Sequence, residues 1–233
     1  NDLNSYLEIG GFPLVVKEKD PEIAHALFQD ILYRDIVVRY KLSNVEEVRQ
    51  IALYLASNVG KLFSYATLQA ISGLKSLSSV KNYLQYFEAS YLFYYLKKFD
   101  YSVKKQIMNS RKVYAVDNAI PNRLGFRFSD NKGRLLENTV FIELQRRGCE
   151  IYYFSEKYEC DFLVKENLDI TEAIQVTYGL NTENVTREIG GLAEAMQTFN
   201  IPKGTLIVVD NTNFPIDLPP GVSVIPAYEW LMN

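Results

Sequence analysis

Three oxygen-bearing side chains in the second half of the chain sit where their neighbours are apolar. Glu137 lies in GRLLENTVFIELQRRG, Asp161 in ECDFLV and Gln175 in AIQVTYG. Read as a helix, the first segment aligns Glu137 with Val140, Phe141 and Leu144 on the stripe that should face a core. A carboxylate there is costly unless a metal ion, a cation or hydrogen bonds compensate it. Two carboxylates and an amide could hold Mg²⁺ weakly, because a hard cation accepts any of these oxygens. Each residue also has an architectural reading: Glu137 paired with an arginine, Asp161 ending a strand or capping a turn, Gln175 packed in a sheet.

The elements that must position these residues alternate from Gly133 onward. A helix over 134–147 is followed by the strands EIYYFS, ECDFLV and AIQVTYG, a helix at about 183–199, the strand TLIVVD and a short strand near 222–225. The polar, glycine-containing stretch Asn122 to Lys132 reads as the loop that leads into them. Ahead of it the pattern is helical. Asp20-Pro21 offers an N-cap acid and a proline at the first helical position, opening a helix that runs to near Lys41. A second helix spans Val45 to about Val59, and a third starts after Ser64 and stops at Gly73. Ser76 to Ser79 supply cap chemistry for a fourth, which buries Val80, Tyr83, Leu84 and Phe87. Two strand-like runs, 91–99 and 112–116, follow with a polar, basic connection between them.

Helices followed by a two-stranded ribbon describe a winged-helix unit, with 78–90 as the recognition helix and 91–116 as the wing. Its groove-facing residues would be Ser76, Ser78, Ser79, Lys81, Asn82 and Gln85, with Lys75 beside them for phosphate contacts. Lys97, Lys98, Lys104, Lys105, Arg111 and Lys112 stand against the single acid Asp100, a basic strip on a chain of net charge −3. Such a strip is a candidate phosphate-binding site. It is equally a solvated hairpin whose lysines protect an edge strand from aggregation. DNA and a protein partner are both candidate partners of this part.

Composition narrows the remaining classes. With 48% apolar and 23% charged residues, the chain falls among folded globular proteins. No run approaches the ~18 apolar residues of a membrane span, and the first residues lack the basic and apolar regions of a signal peptide, so a cytoplasmic place without membrane contact is expected. Cys149 and Cys160 form no CxxC pair and are expected to be reduced. His25, the sole histidine, is expected to be an ordinary surface residue. Gly60-Lys61 and Gly73-Leu74-Lys75-Ser76 are both incomplete against a phosphate-binding loop, so no ATP hydrolysis is expected from this chain.

The Glu137, Asp161, Gln175 series resembles the PD-(D/E)xK superfamily of restriction-endonuclease-like folds, in which a helix Glu, a strand Asp and a (D/E/Q)-x-K on the next strand surround Mg²⁺. On this resemblance Glu137, Asp161 and Gln175 match the metal positions, and Thr177 stands where the catalytic lysine would be. A hydroxyl cannot supply that charge.

More broadly, YLEIGGFPLVV, ILYRDIVVRY, SVKNYLQYFEASYLFYYL, NSRKVYAVDNAI and GRLLEN resemble the C-terminal region of bacterial and archaeal AAA-type ATP-binding proteins. The resemblance implies a P-loop ATPase domain upstream in the same polypeptide, which alone would bind ATP, and a fragment without a cofactor of its own beyond weak Mg²⁺. The expected fold is α/β within an α+β whole: a helical and winged-helix domain over 1–120 and a restriction-endonuclease-like α/β domain over 121–233. The expected function is a non-catalytic region that binds DNA or a partner. The alternatives are a Mg-dependent nuclease in which Lys165 replaces the missing lysine, and a docking scaffold with no nucleic-acid role.

Overall fold

The computed structural model describes residues 2–125, 132–182, 184–209 and 218–233. The chain is α+β, and it divides into two compact units: residues 1–95 with 110–131, and residues 96–109 with 132–233. Most of the expected loop before the second unit, 126–131, lies outside the described residues, as do Glu183 and Asp210 at the edges of two expected elements.

The first unit opens with helices α1 (Asp2–Ile9) and α2 (Pro13–Glu18), which the sequence reading did not anticipate. Gly10 turns the chain between them at φ +87°, and a side chain there would collide with the Asp117 carboxylate and the Ala119 backbone. Asp117 holds that turn by accepting from the N–H groups of Gly11 and Ala119, each at 2.8 Å. Helix α3 (Pro21–Asp30) starts as its cap chemistry dictates, with Asp20 accepting from the Glu22 N–H at 2.9 Å. It continues as a π-helical run over Ile31–Val38, and Ala24, Phe28, Leu32 and Ile36 form one buried stripe.

Helix α4 (Val45–Ser57) buries Val48, Ile51, Ala52 and Leu55. A short strand β1 (Leu62–Phe63) leads to α5 (Tyr65–Ser72), which Ser64 caps and Gly73 ends in the left-handed conformation. Ser76 caps α6 (Leu77–Ala89), whose inner face is Val80, Tyr83, Leu84 and Phe87. Strands β2 (Phe93–Lys97) and β3 (Arg111–Ala115) complete a three-stranded sheet of order β1-β3-β2, with β3 in the middle. Helix α8 (Ala119–Leu124) follows, and its Asn122 donates to the Leu7 carbonyl at 2.7 Å.

The connection between β2 and β3 is more than a ribbon tip. From Leu96 the chain belongs to the second unit until Asn109, and it contains a short helix α7 (Val103–Met108). The reason is Phe99, which is buried, sets its ring edge-on to Tyr152 and Phe199, and donates its N–H to the Tyr153 carbonyl at 2.8 Å. An aromatic ring in a stretch that otherwise reads as solvated thus redirects fourteen residues.

In the second unit α9 (Lys132–Arg146) precedes an antiparallel series β4 (Glu150–Ser155), β5 (Glu159–Glu166) and β6 (Asp169–Thr177). Helix α10 (Val185–Phe199) then crosses over to β7 (Gly204–Val208), parallel to β6, and β8 (Val222–Pro226) and α11 (Ala227–Met232) close the chain. The sheet order is β4-β5-β6-β7-β8. Leu192, Ala195 and Met196 of α10 share a core with Leu163, Ala173, Leu206 and Val208. Gly191 permits this approach, since a Cβ there would strike the Glu159 carbonyl.

Candidate functional site

Asp161 and Gln175 come together one step beyond the Phe162–Ile174 pair of strands β5 and β6. Gln175 Oε1 accepts the Asp161 N–H at 3.2 Å, and Asp161 Oδ2 accepts the Val176 N–H at 3.0 Å. Both side chains are buried. The other end of the amide, Nε2, donates to Glu188 Oε2 at 2.6 Å. Glu188 stands in the first turn of α10, which Gly191 brings close to β5, and its second oxygen accepts from Arg187 at 2.5 Å and 3.2 Å. The Glu188 carboxylate raises the Arg187 pKa first through that hydrogen bond and then through charge, with smaller contributions from Asp161 and Glu159.

Thr177 is buried on the same strand and donates to the Gly179 carbonyl at 3.1 Å. Asn184 donates to that same carbonyl at 2.8 Å, so the end of β6 is tied to the start of α10. Glu137 is buried on α9, one turn before Phe141, whose ring lies 6.4 Å from that of Phe162. The bonds that join Asp161 to Gln175 lead on to Glu188. Among the described residues no group of three or more His, Cys, Asp or Glu side chains is arranged to hold a metal ion.

Glu188 escaped the sequence reading. Its signal was available: it is an acid in the first turn of a helix, three and four residues ahead of the buried Gly191 and Leu192. Those spacings put it on the inner face, where a carboxylate must find partners. Lys165, the substitute cation of the alternative nuclease reading, is bonded to both oxygens of Glu150 at 2.9 Å.

The basic candidates separate. Lys75, Ser78, Lys81, Asn82 and Gln85 are exposed and Ser79 is half-buried, all on or beside α6. The hydroxyls of Ser76 and Ser78 lie 2.6 Å apart. Lys97 and Lys104 are exposed, Lys98 pairs with Glu156 at 3.0 Å, and Lys105 pairs with Asp100 at 3.5 Å. These four belong to the second unit and Lys75, Lys81 and Arg111 to the first, so the strip is not one element. Lys112 corrects the expectation outright, because it is 1% exposed. It sits on β3, the middle strand, whose residues 112–115 are all buried. A side chain there cannot reach a phosphate from the surface.

Two curated proteins resemble nearly the whole chain. One, an uncharacterized protein MJ1544 of Methanocaldococcus jannaschii, is 32% identical over 99% of this chain and 55% of its own length. The other, an uncharacterized protein of Haemophilus influenzae, is 28% identical over 99% of this chain and 58% of its own. The chain therefore spans a little over half the length of these relatives. No solved structure matches it. A family model matches residues 1–131 and ends where the first unit ends, and the chain belongs to that family, the domain of unknown function DUF8612.

Proposed function

We propose that this chain is the non-catalytic C-terminal region of a longer, cytoplasmic AAA-type ATP-binding protein, in which the first unit is a winged helix that contacts DNA and the second is a restriction-endonuclease-like module that does not cut. Helices α4, α5 and α6 followed by β2 and β3 support the winged-helix reading. The order of a helix and three strands, with Asp161 and Gln175 on adjacent strands, supports the endonuclease-like one. Relatives that extend well beyond the matched region leave length for an ATPase domain in the same polypeptide.

The observation that carries the inactive reading is Thr177. Where a lysine would meet the scissile phosphate, a buried hydroxyl is bonded to the Gly179 carbonyl. Arg187 is committed to Glu188 and Lys165 to Glu150, so neither takes over that role. Losing one such fixed stabiliser costs roughly 10²–10³ in rate. Asp161 and Gln175 each accept one backbone N–H, and their remaining lone pairs could still hold Mg²⁺ weakly.

The test is a cleavage assay with Mg²⁺ or Mn²⁺ on single- and double-stranded DNA and RNA, with Asp161→Ala as control. No cutting above background is expected. Metal-dependent cutting that vanishes in the control overturns the reading in favour of a nuclease. One observation favours a docking scaffold instead: α7 buries none of its residues and exposes Val103, Ile107 and Met108. Failure of the whole chain to bind duplex DNA at low salt would select that reading.

A further inference from the structure

We infer that Lys81 and Arg111, gathered around the ring of Tyr65, form a paired contact for the phosphate backbone of duplex DNA. This rests on the DNA-binding reading of the first unit and specifies where that binding happens. The three residues come from three elements: Tyr65 opens α5, Lys81 lies on the outer face of α6, and Arg111 opens β3. Lys81 Nζ lies 5.3 Å from the centre of the Tyr65 ring and Arg111 Cζ 5.4 Å from it.

Two like charges converging on one ring is an arrangement that needs a reason. A cation over an aromatic face gains about 0.5–1 kcal/mol at an exposed site, and the ring's quadrupole neutralises neither charge. An anion between or beside the two would offset their mutual repulsion. Arg111 carries a further sign of an unmet partner, because its Nε is buried and has no hydrogen-bond partner.

The surroundings favour an anion of nucleic-acid type. From Lys61 to Ser90 the chain carries Lys61, Lys75 and Lys81 against the single acid Glu88, whose charge is felt at Tyr95 together with that of Arg111. The positive end of α5, capped by Ser64, starts at Tyr65 itself. Lys81 shares its helix face with exposed Asn82 and Gln85, which suit sugar and phosphate oxygens. A ring that fixes two long cationic side chains also lowers the entropy lost when they engage a backbone.

The experiment is fluorescence anisotropy of the whole chain with a labelled duplex of arbitrary sequence, repeated over a series of salt concentrations. Lys81→Ala and Arg111→Gln are each expected to weaken binding ~3–10-fold at moderate salt and to reduce the log–log salt slope by about 0.9, and the double variant by about twice that. Tyr65→Leu keeps both charges and is expected to weaken binding with the slope intact. Lys17→Ala, an exposed lysine on α2, serves as the control for general charge loss and should change nothing. If the wild-type chain binds and the double variant keeps its slope, the paired contact is overturned while DNA binding stands. If the wild-type chain fails to bind even at the lowest salt, both are overturned. Circular dichroism checks each variant, and should Arg111→Gln unfold, the exposed Lys81 decides alone.

Discussion

Gln175 donates its Nε2 N–H to Glu188 at 2.6 Å while its Oε1 accepts the Asp161 N–H at 3.2 Å, so the orientation of one amide is set from both ends. The carboxylate of a helix thereby decides how a strand residue presents its oxygen. It also explains why an amide occupies this position. A glutamate there would set two carboxylates against each other.

Gln175→Glu is accordingly expected to lower stability at neutral pH and to regain part of it in acid, where the two facing carboxyls need not both be charged. Gln175→Ala should cost about 1–3 kcal/mol at all pH values, because it leaves Glu188 and the Asp161 N–H without their partner. Urea denaturation at several pH values separates the two. A Gln175→Glu variant as stable as wild type at pH 7 would contradict the assignment.

Gly10→Ala combines a disfavoured backbone angle with a collision against Asp117 and Ala119. The expected loss is more than the ~1 kcal/mol of an ordinary turn glycine. Asp117→Asn should also destabilise, because an amide presents a donor where the Gly11 and Ala119 N–H groups both require acceptors. Thermal melts of both variants would show it, and wild-type midpoints would refute it.

Two carboxylates should shape the pH dependence in opposite senses. The hydrogen bond from Arg146 outweighs burial and, with Arg147 adding to it, holds Glu143 below the ordinary glutamate value. Its stabilisation is present above pH 4.5 and is lost as the pH falls through the lowered folded value. Burial pushes Asp117 above the ordinary aspartate value of 3.8, outweighing the backbone N–H groups of Ala119, Gly11 and Phe12. The native chain therefore holds that proton longer than the unfolded one, and stability from this group declines as the pH rises through the raised value. Glu143→Gln should remove acid sensitivity below pH 4.5, measured as the change in urea midpoint with pH.

Phe99→Ala should cost about 3–5 kcal/mol in the second unit, the usual range for a buried phenylalanine. Residues 100–109 should then become cleavable by a protease that leaves the wild type intact. Unchanged digestion would mean that Phe99 does not anchor this segment.

What could be read in advance followed the range of the forces involved. Asp20, Ser64 and Ser76 cap helices through bonds to residues two or three positions away, so four letters of sequence suffice to find them. The buried stripe of α6 matched its residues because a helix repeats over one turn. Lys112 was misjudged because a strand's place in the middle of a sheet depends on partners distant along the chain, Leu62 among them. The setting of Phe99 likewise depends on distant partners, Tyr152, Tyr153 and Phe199, and α1 and α2 depend on Asp117, more than a hundred positions away. At the site, Asp161 and Gln175 were legible as neighbours on successive strands, whereas Glu188 reaches them only after α10 has crossed the sheet.

The assignment of residues 96–109 to the second unit also orders events during synthesis. Phe99 leaves the ribosome about fifty residues ahead of Tyr152 and Tyr153, an interval on the order of 3–10 s at roughly 5–20 residues per second. Phe199, its other ring partner, emerges later still. The second unit is thus begun before the first is finished and completed last, and throughout that interval a nascent aromatic side chain waits without its partners in a cell crowded with other unfinished chains.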